Sequence, residues 1–332
     1  MSFRFSNLKQ IGDQVVVPIP KDEFGDLGRE CPNADCERYF KIRPGTGLTG
    51  EGLPCHCPYC GHTGPATQFY TPAQIEYGNS LALRQINDAI FQDLKELEFG
   101  HRPRRGGFGI SLSLTVKQGQ RVPIRHYREK DLETEIVCDH CTLHYAIYGL
   151  FAFCPDCRTH NSLQILFKNL DLVSKQIALS EAQEDEAFKR QLLEATLGNC
   201  VSAFDGFGRE SCRVRASKCN DAKKAQALSF QNVENAADRV RELFGVDLYS
   251  AVSAVDWSAI HRAFMKRHVV SHRSGVVDDR YITETGDPDA AVGRRIPLSA
   301  IEVRQLVDRL RDFGRAMTAL LPATQRQIAD DD

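Results

Sequence analysis

Apolar and polar positions divide the chain into an irregular first half and a helical second half. The first twenty residues show no clear periodicity; Val15-Val16-Val17 is a short apolar run cut off by Pro18, for which an edge strand is the one element expected. Thr71-Pro72-Ala73-Gln74 is the start signature of a helix: an N-cap, a proline at the first helical position and a capping-box glutamine. Ile75, Ile86, Ile90, Leu94 and Leu97 follow at helical spacing, with Gly100 as a stop, and predict a packing helix. Ile110 to Val116 alternates apolar with polar, Lys117 to Gln120 is turn-like, and Arg121 to Tyr127 forms a second run; together they predict a β-hairpin.

From about residue 163 the period becomes helical. Leu163 to Leu197 carries the stripe Leu166, Leu170, Val173 and Ile177, turns the acidic run Glu184-Asp185-Glu186 to water, and meets Gly198 as a stop. Phe230, Val233, Ala237, Val240 and Phe244 make a strongly amphipathic stretch before Gly245. Asp256 is the candidate cap of the next helix, which sets Trp257, Ile260, Phe264 and His268 along one side and closes at Ser274-Gly275. Ser299-Ala300-Ile301-Glu302 reads as a capping box for a last helix that aligns Leu306, Leu310, Phe313 and Met317 and ends at Pro322.

Cysteine spacing adds chemistry to the irregular half. Eight of the 12 cysteines fall in four close pairs: Cys31 with Cys36, Cys57 with Cys60, Cys138 with Cys141, and Cys154 with Cys157. Two tight turns can present four thiolates to one tetrahedral ion at about 2.3 Å, which resembles a zinc ribbon. Four soft ligands leave no open position for water, so two structural zinc ions and no catalytic metal are expected. The second set has the regular two-residue spacing in both halves. In the first, Cys31 and Cys36 enclose four residues, and Cys55 and His56 stand as substitute ligands. Cys200, Cys212 and Cys219 have no ligand spacing and read as ordinary thiols.

The expected fold class is therefore α+β: two small zinc-ribbon β modules with an intervening helix and hairpin, followed by an α-helical bundle. The expected divisions are 1–70, first ribbon; 71–137, helix and basic hairpin; 138–162, second ribbon; 163–325, bundle; and 326–332, acidic tail. With 332 residues the chain has room for several cores. Lys+Arg 42 against Asp+Glu 44 leaves a net charge of −2, so no global field draws it to nucleic acid or anionic lipid. The sequence contains neither a signal-peptide pattern nor a membrane span, and a cytoplasmic location is expected. Charge is concentrated locally: residues 101–130 hold eight basic side chains (Arg102, Arg104, Arg105, Lys117, Arg121, Arg125, Arg128, Lys130) against the single acid Glu129. With Phe108 and Tyr127 for stacking, that stripe could follow a nucleic-acid backbone; a solvated face is the alternative.

The most catalytic-looking stretch is Arg267-His268-Val269-Val270-Ser271-His272. A guanidinium able to grip a phosphate lies five positions before an imidazole whose ordinary pKa of about 6.5 suits proton transfer near neutrality. Five helical positions turn by roughly 140° and rise by roughly 7.5 Å, so the two side chains would flank a groove. A bundle carrying Arg, a polar residue, three further positions and His resembles the HEPN superfamily, as does the continuation Arg273-Ser274-Gly275-Val276-Val277-Asp278. The resemblance covers about residues 165–325. It implies a metal-independent endoribonuclease acting as a homodimer, in which a ribose 2′-hydroxyl attacks the adjacent phosphodiester. His272 would be base or acid, Arg267 would hold the phosphate, and His268 would orient it or share the proton traffic. Ser271, Arg273, Lys266 and Arg262 are the candidate substrate-binding residues, since Arg262 to Arg273 contains four cations and no acid. In one branch a tyrosine two positions after the histidine is modified; Ser274 stands there, and that role is not carried over. By family analogy the enzyme would be a toxin or antiviral defence effector. Its ribbons would bind RNA, DNA or a protein partner, with no membrane involved. The alternative is a non-catalytic nucleotide- or RNA-binding scaffold of the same superfamily.

Overall fold

Short strands joined by cysteine turns build the first part of the chain, and long helices build the second. The computed structural model describes residues 5–12, 14–50, 54–101 and 112–323. The chain forms two units, Met1–Gly149 and Leu150–Asp332.

The first unit contains, in order, α1 (Ser6–Ile11), β1 (Leu27–Glu30), β2 (Tyr39–Ile42), β3 (Pro54–His56), β4 (Thr63–Pro65), α2 (Pro72–Lys95), β5 (Phe99–His101), β6 (Leu112–Leu114), β7 (Thr134–Val137) and β8 (His144–Ile147). One antiparallel sheet has the order β1-β2-β8-β7, with Leu27 opposite Ile42, Lys41 opposite Ala146 and Ile136 opposite Tyr145. The strands next to the Cys31 and Cys138 turns therefore belong to a single sheet. Phe40, Ile42, Ile136 and Ile147 are buried on it, and Phe69 meets Phe40 edge-on at 6.1 Å.

Three expectations for this unit are corrected. Val15 to Val17 form no strand; the ordered N-terminal element is α1, whose amides at Asn7 and Leu8 donate to buried Asp93 of α2 (2.8 and 2.9 Å). A carboxylate from another helix caps α1, a long-range contact that local sequence cannot carry. The Thr71 capping box is complete, but α2 stops at Lys95, and Gly100 lies within β5. The hairpin pairs Phe99–His101 with Leu112–Leu114, leaving Arg121 to Tyr127 without a strand. That segment instead lies along α2: Arg125 pairs with Glu76 at 2.9 Å, and the Arg125 amide donates to Ser80 at 3.1 Å. Arg102, Arg104, Arg105 and Phe108 of the basic stripe, like the tail 326–332, lie outside the described residues.

The second unit contains α3 (Ser162–Glu181), α4 (Glu186–Arg213), α5 (Ala222–Gln226), α6 (Val233–Phe244), α7 (Ala254–Arg273), α8 (Asp279–Thr285) and α9 (Ala300–Leu320). Helix α3 packs on α4 and α9, and α7 on α4, α8 and α9. Phe204 of α4 is central: it stacks on Phe313 at 5.0 Å and meets Phe207, Phe230 and Phe264 at 5.7 to 6.2 Å. A Cβ at Gly208 would lie 2.5 Å from the Phe230 ring, so that packing requires glycine.

Two boundaries differ from the apolar pattern. The stretch from Leu163 to Leu197 is two helices, because Asp185 of the acidic run caps α4 by accepting from the amides of Ala187 and Phe188 (2.8 and 3.2 Å), and Gly198 sits inside that helix. The cap of α7 is Ser253, which accepts from the Asp256 amide at 3.1 Å; Asp256 is three residues into the helix and pairs with Arg309 at 2.9 Å. At α9, Ser299 caps as expected, while the Glu302 carboxylate reaches Lys266.

Candidate functional site

Helix α7 has two working faces. On one, Lys266 is buried, donates to the Pro297 carbonyl at 2.8 Å, and pairs with Glu302 at 2.7 Å and Asp287 at 3.5 Å. On the other, Arg267, His268 and His272 line a cleft of about 300 Å³ together with Arg280 of α8. Phe264, Met265 and Val233 line its apolar part, and Gln231 and Asn232 its edge at the start of α6. There His261 Nε2 lies 3.5 Å from Glu234, which ties α7 to α6.

The helix ends where the cleft needs it to end. Ser274 adopts the left-handed conformation (φ 52°), and the Gly275 amide donates to the Val269 carbonyl at 3.2 Å, so the chain turns toward α8 just after His272. Four residues apart on one helix, the His268 and His272 rings stand 4.7 Å apart between centroids. His268 is held below the usual imidazole value by partial desolvation, then by the positive charge of His272, Arg280 and Arg267, with Asp278 opposing. Arg267 has no hydrogen-bond or ion-pair partner among the described residues. An unpaired, half-buried guanidinium beside two imidazoles is suited to an anion.

The other candidate binding residues are placed differently. Arg262 lies 4.0 Å from Asp287, and its buried Nε has no hydrogen-bond partner among the described residues; Lys266 belongs to the same buried network. Neither lines the cleft. Arg273 pairs loosely with Asp278 at 3.6 Å, and Ser271 is exposed. Arg262 to Arg273 contains no acid, and the carboxylates that meet Arg262 and Lys266, Asp287 and Glu302, come from later segments. Conversely, Arg280 reaches the cleft from α8, two residues past the Arg273 to Asp278 continuation, whose last residue caps that helix.

The cysteines form two groups of four. In each, Cys31, Cys36, Cys57 and Cys60, or Cys138, Cys141, Cys154 and Cys157, the sulfurs lie within 4.8 Å of one another. Cys31 to Cys60 and Cys36 to Cys57 are separated by 3.5 and 3.7 Å, close to the edge of roughly 3.8 Å set by metal–sulfur bonds of about 2.3 Å in a tetrahedron. All four turns share one backbone form. The residue after the second cysteine has positive φ: Glu37 (46°), Gly61 (77°), Thr142 (63°) and Arg158 (60°). In three turns its amide donates to the carbonyl of the first cysteine: Gly61 to Cys57 (3.0 Å), Thr142 to Cys138 (2.9 Å) and Arg158 to Cys154 (3.1 Å). In the remaining turn Glu37 donates to Asn33 at 3.0 Å, so Asn33 takes the place of the first cysteine and Cys31 reaches in from two residues earlier. That accounts for the wider spacing. Cys55 and His56 belong to neither group; His56 Nδ1 is 2.9 Å from the Thr63 hydroxyl. Cys200 and Cys212 are buried in the helical core, which pushes both thiols up to about 12.

Among the described residues no helix is long and apolar enough to cross a membrane. Comparison of the chain with protein-family models, with curated proteins and with solved structures finds no match.

Proposed function

We propose that the α7 cleft is the active site of a HEPN-type, metal-independent endoribonuclease. The observation that carries this reading is the convergence, within one chain, of an unpartnered guanidinium and two imidazoles on one cleft. Cleavage by internal attack needs a base for the ribose 2′-hydroxyl, an acid for the departing 5′-oxygen and positive charge at the pentavalent phosphate. His268, whose surroundings disfavour its charged form, accepts the 2′-proton; His272 delivers a proton to the 5′-oxygen; Arg267 binds the phosphate oxygens. The P–O2′ bond forms as the P–O5′ bond breaks, so the products are a 2′,3′-cyclic phosphate and a 5′-hydroxyl and no water is consumed in the first step. The resemblance adds a homodimer, with a second copy of the set across a two-fold axis.

The two cysteine groups are assigned to structural zinc, which matches their donor type and sulfur spacing. Zinc there would hold the turns and carry no step of the reaction. The ribbons would serve as the surface for RNA or another partner.

The test is RNA cleavage by the full chain with metal-free buffers. His272→Ala and Arg267→Ala proteins that fold normally lose cleavage by roughly 100-fold or more. Cleavage that survives His272→Ala removes the proposed mechanism.

A further inference from the structure

We infer that Arg280 is the second guanidinium of this anion site and that a buried chain of Tyr281, Asp287 and Lys266 positions it. The inference rests on the phosphodiester reading above. Arg280 belongs to α8, which spans only Asp279–Thr285 and is too short to hold its place alone. Its placement comes from its surroundings. Asp278 accepts the Tyr281 amide at 2.9 Å, and the fully buried Tyr281 donates its hydroxyl to Asp287 at 2.6 Å. Asp287 lies 3.5 Å from Lys266 of α7, the residue next to Arg267. Tyr281 also packs with Met265, Val269, Val277 and Ile296 in a small apolar cluster. One turn of α7 thus supports α8 on one face and presents Arg267 on the next, which fixes the two guanidiniums relative to each other.

The Arg280 fork is itself oriented. Its Nε donates to Glu284 at 2.8 Å, leaving the two terminal nitrogens to bond a pair of phosphate oxygens. With Arg267 on α7, Arg280 would bracket the phosphate from a second element, where negative charge grows on going to the transition state. Tyr281, Asp287 and Lys266 are positioning residues; they do not line the cleft.

The test uses the full chain and an RNA oligonucleotide fully 2′-O-methylated, which cannot undergo internal attack. Its dissociation constant is measured across a salt series, and the His268 titration midpoint is followed by NMR. Arg280→Ala weakens binding roughly tenfold, as loss of a charge-assisted contact does, and lowers the log–log salt slope by about 0.7, the value for one single-strand phosphate contact. Arg280→Lys keeps the slope while losing affinity. Both Arg280→Ala and Tyr281→Phe raise the His268 midpoint, because a nearby positive charge is removed or displaced; a merely structural tyrosine leaves it in place. Arg280→Gln retains the side-chain stem and guards against loss of fold. If Arg280→Ala and Arg280→Gln bind with unchanged slope while Arg267→Ala does not, the inference fails and the nuclease reading stands. If the unsubstituted protein binds no RNA, both fail.

Discussion

Lys266 and Arg267 are consecutive on α7 and face different surroundings: the Lys266 ammonium is bound by Glu302 at 2.7 Å and by the Pro297 carbonyl at 2.8 Å, whereas Arg267 lines the cleft with no acid paired to it among the described residues. Substitutions at the two positions should therefore separate stability from activity. Lys266→Met leaves Asp287 buried with less compensation and costs about 3 kcal/mol, read as a lower unfolding midpoint. Arg267→Ala changes stability by no more than about 0.5 kcal/mol and lowers kcat/KM roughly 100- to 1,000-fold. Equal stability losses would mean that Arg267 is a structural residue.

The surroundings of His268 set a pH limb. In the proposed mechanism the base must be unprotonated, and His268 is held below its ordinary value of 6.5, so cleavage should persist on acidification past 6.5 and fall at lower pH, as a pH–rate profile would show. Replacing His272 by Gln removes one of the charges that depress it, and the His268 NMR midpoint should move up. An unmoved midpoint would show that the two rings do not interact.

Metal content tests the cysteine assignment residue by residue. The full chain should bind two zinc ions, Cys57→Ser or Cys154→Ser should retain one, and Cys55→Ser should retain both, as counted by elemental analysis after gel filtration. Loss of an ion in Cys55→Ser would place that thiol among the ligands. Chelation should unfold the turns first, seen as rapid amide exchange at Gly61 and Arg158.

Acid stability should depend on Glu210. It accepts from His160 Nε2 at 3.1 Å and from Nε and one terminal nitrogen of Arg213, each at 2.6 Å; despite burial, these partners hold its carboxyl down at about 2, against 4.5 ordinarily. The unfolded chain then binds a proton that the folded one does not, so about 3 kcal/mol present above pH 4.5 drains away as pH falls toward 2. His160, pushed below 6.5 chiefly by burial, acts in the same direction from pH 6.5 downward. Glu210→Gln should lose that slope between pH 4.5 and 2 in urea titrations; an unchanged slope would refute the assignment.

What the sequence revealed and concealed follows from range. Capping at Thr71 and Ser299, the glycine after α6, and the Leu306 to Met317 stripe depend on neighbours within one or two turns, and they were legible. The Asp93 cap of α1, the pairing of β2 with β8, and the neutralisation of Lys266 by Asp287 and Glu302 join distant segments and left no local mark. The same holds at the cleft. Arg267 and His272 announce themselves by spacing, while Arg280 comes from a helix placed by a buried tyrosine. Cys31 and Cys36 are an intermediate case: the residues were visible, but the part of Asn33 in their turn needed the backbone.

The most direct test of the central claim is end-group analysis of RNA cut by the purified full chain in metal-free buffer. Internal attack predicts 2′,3′-cyclic phosphate and 5′-hydroxyl ends, absent with His272→Ala and at any position carrying a 2′-deoxy sugar. Ends bearing 5′-phosphate, or cutting of the 2′-deoxy positions, would contradict it.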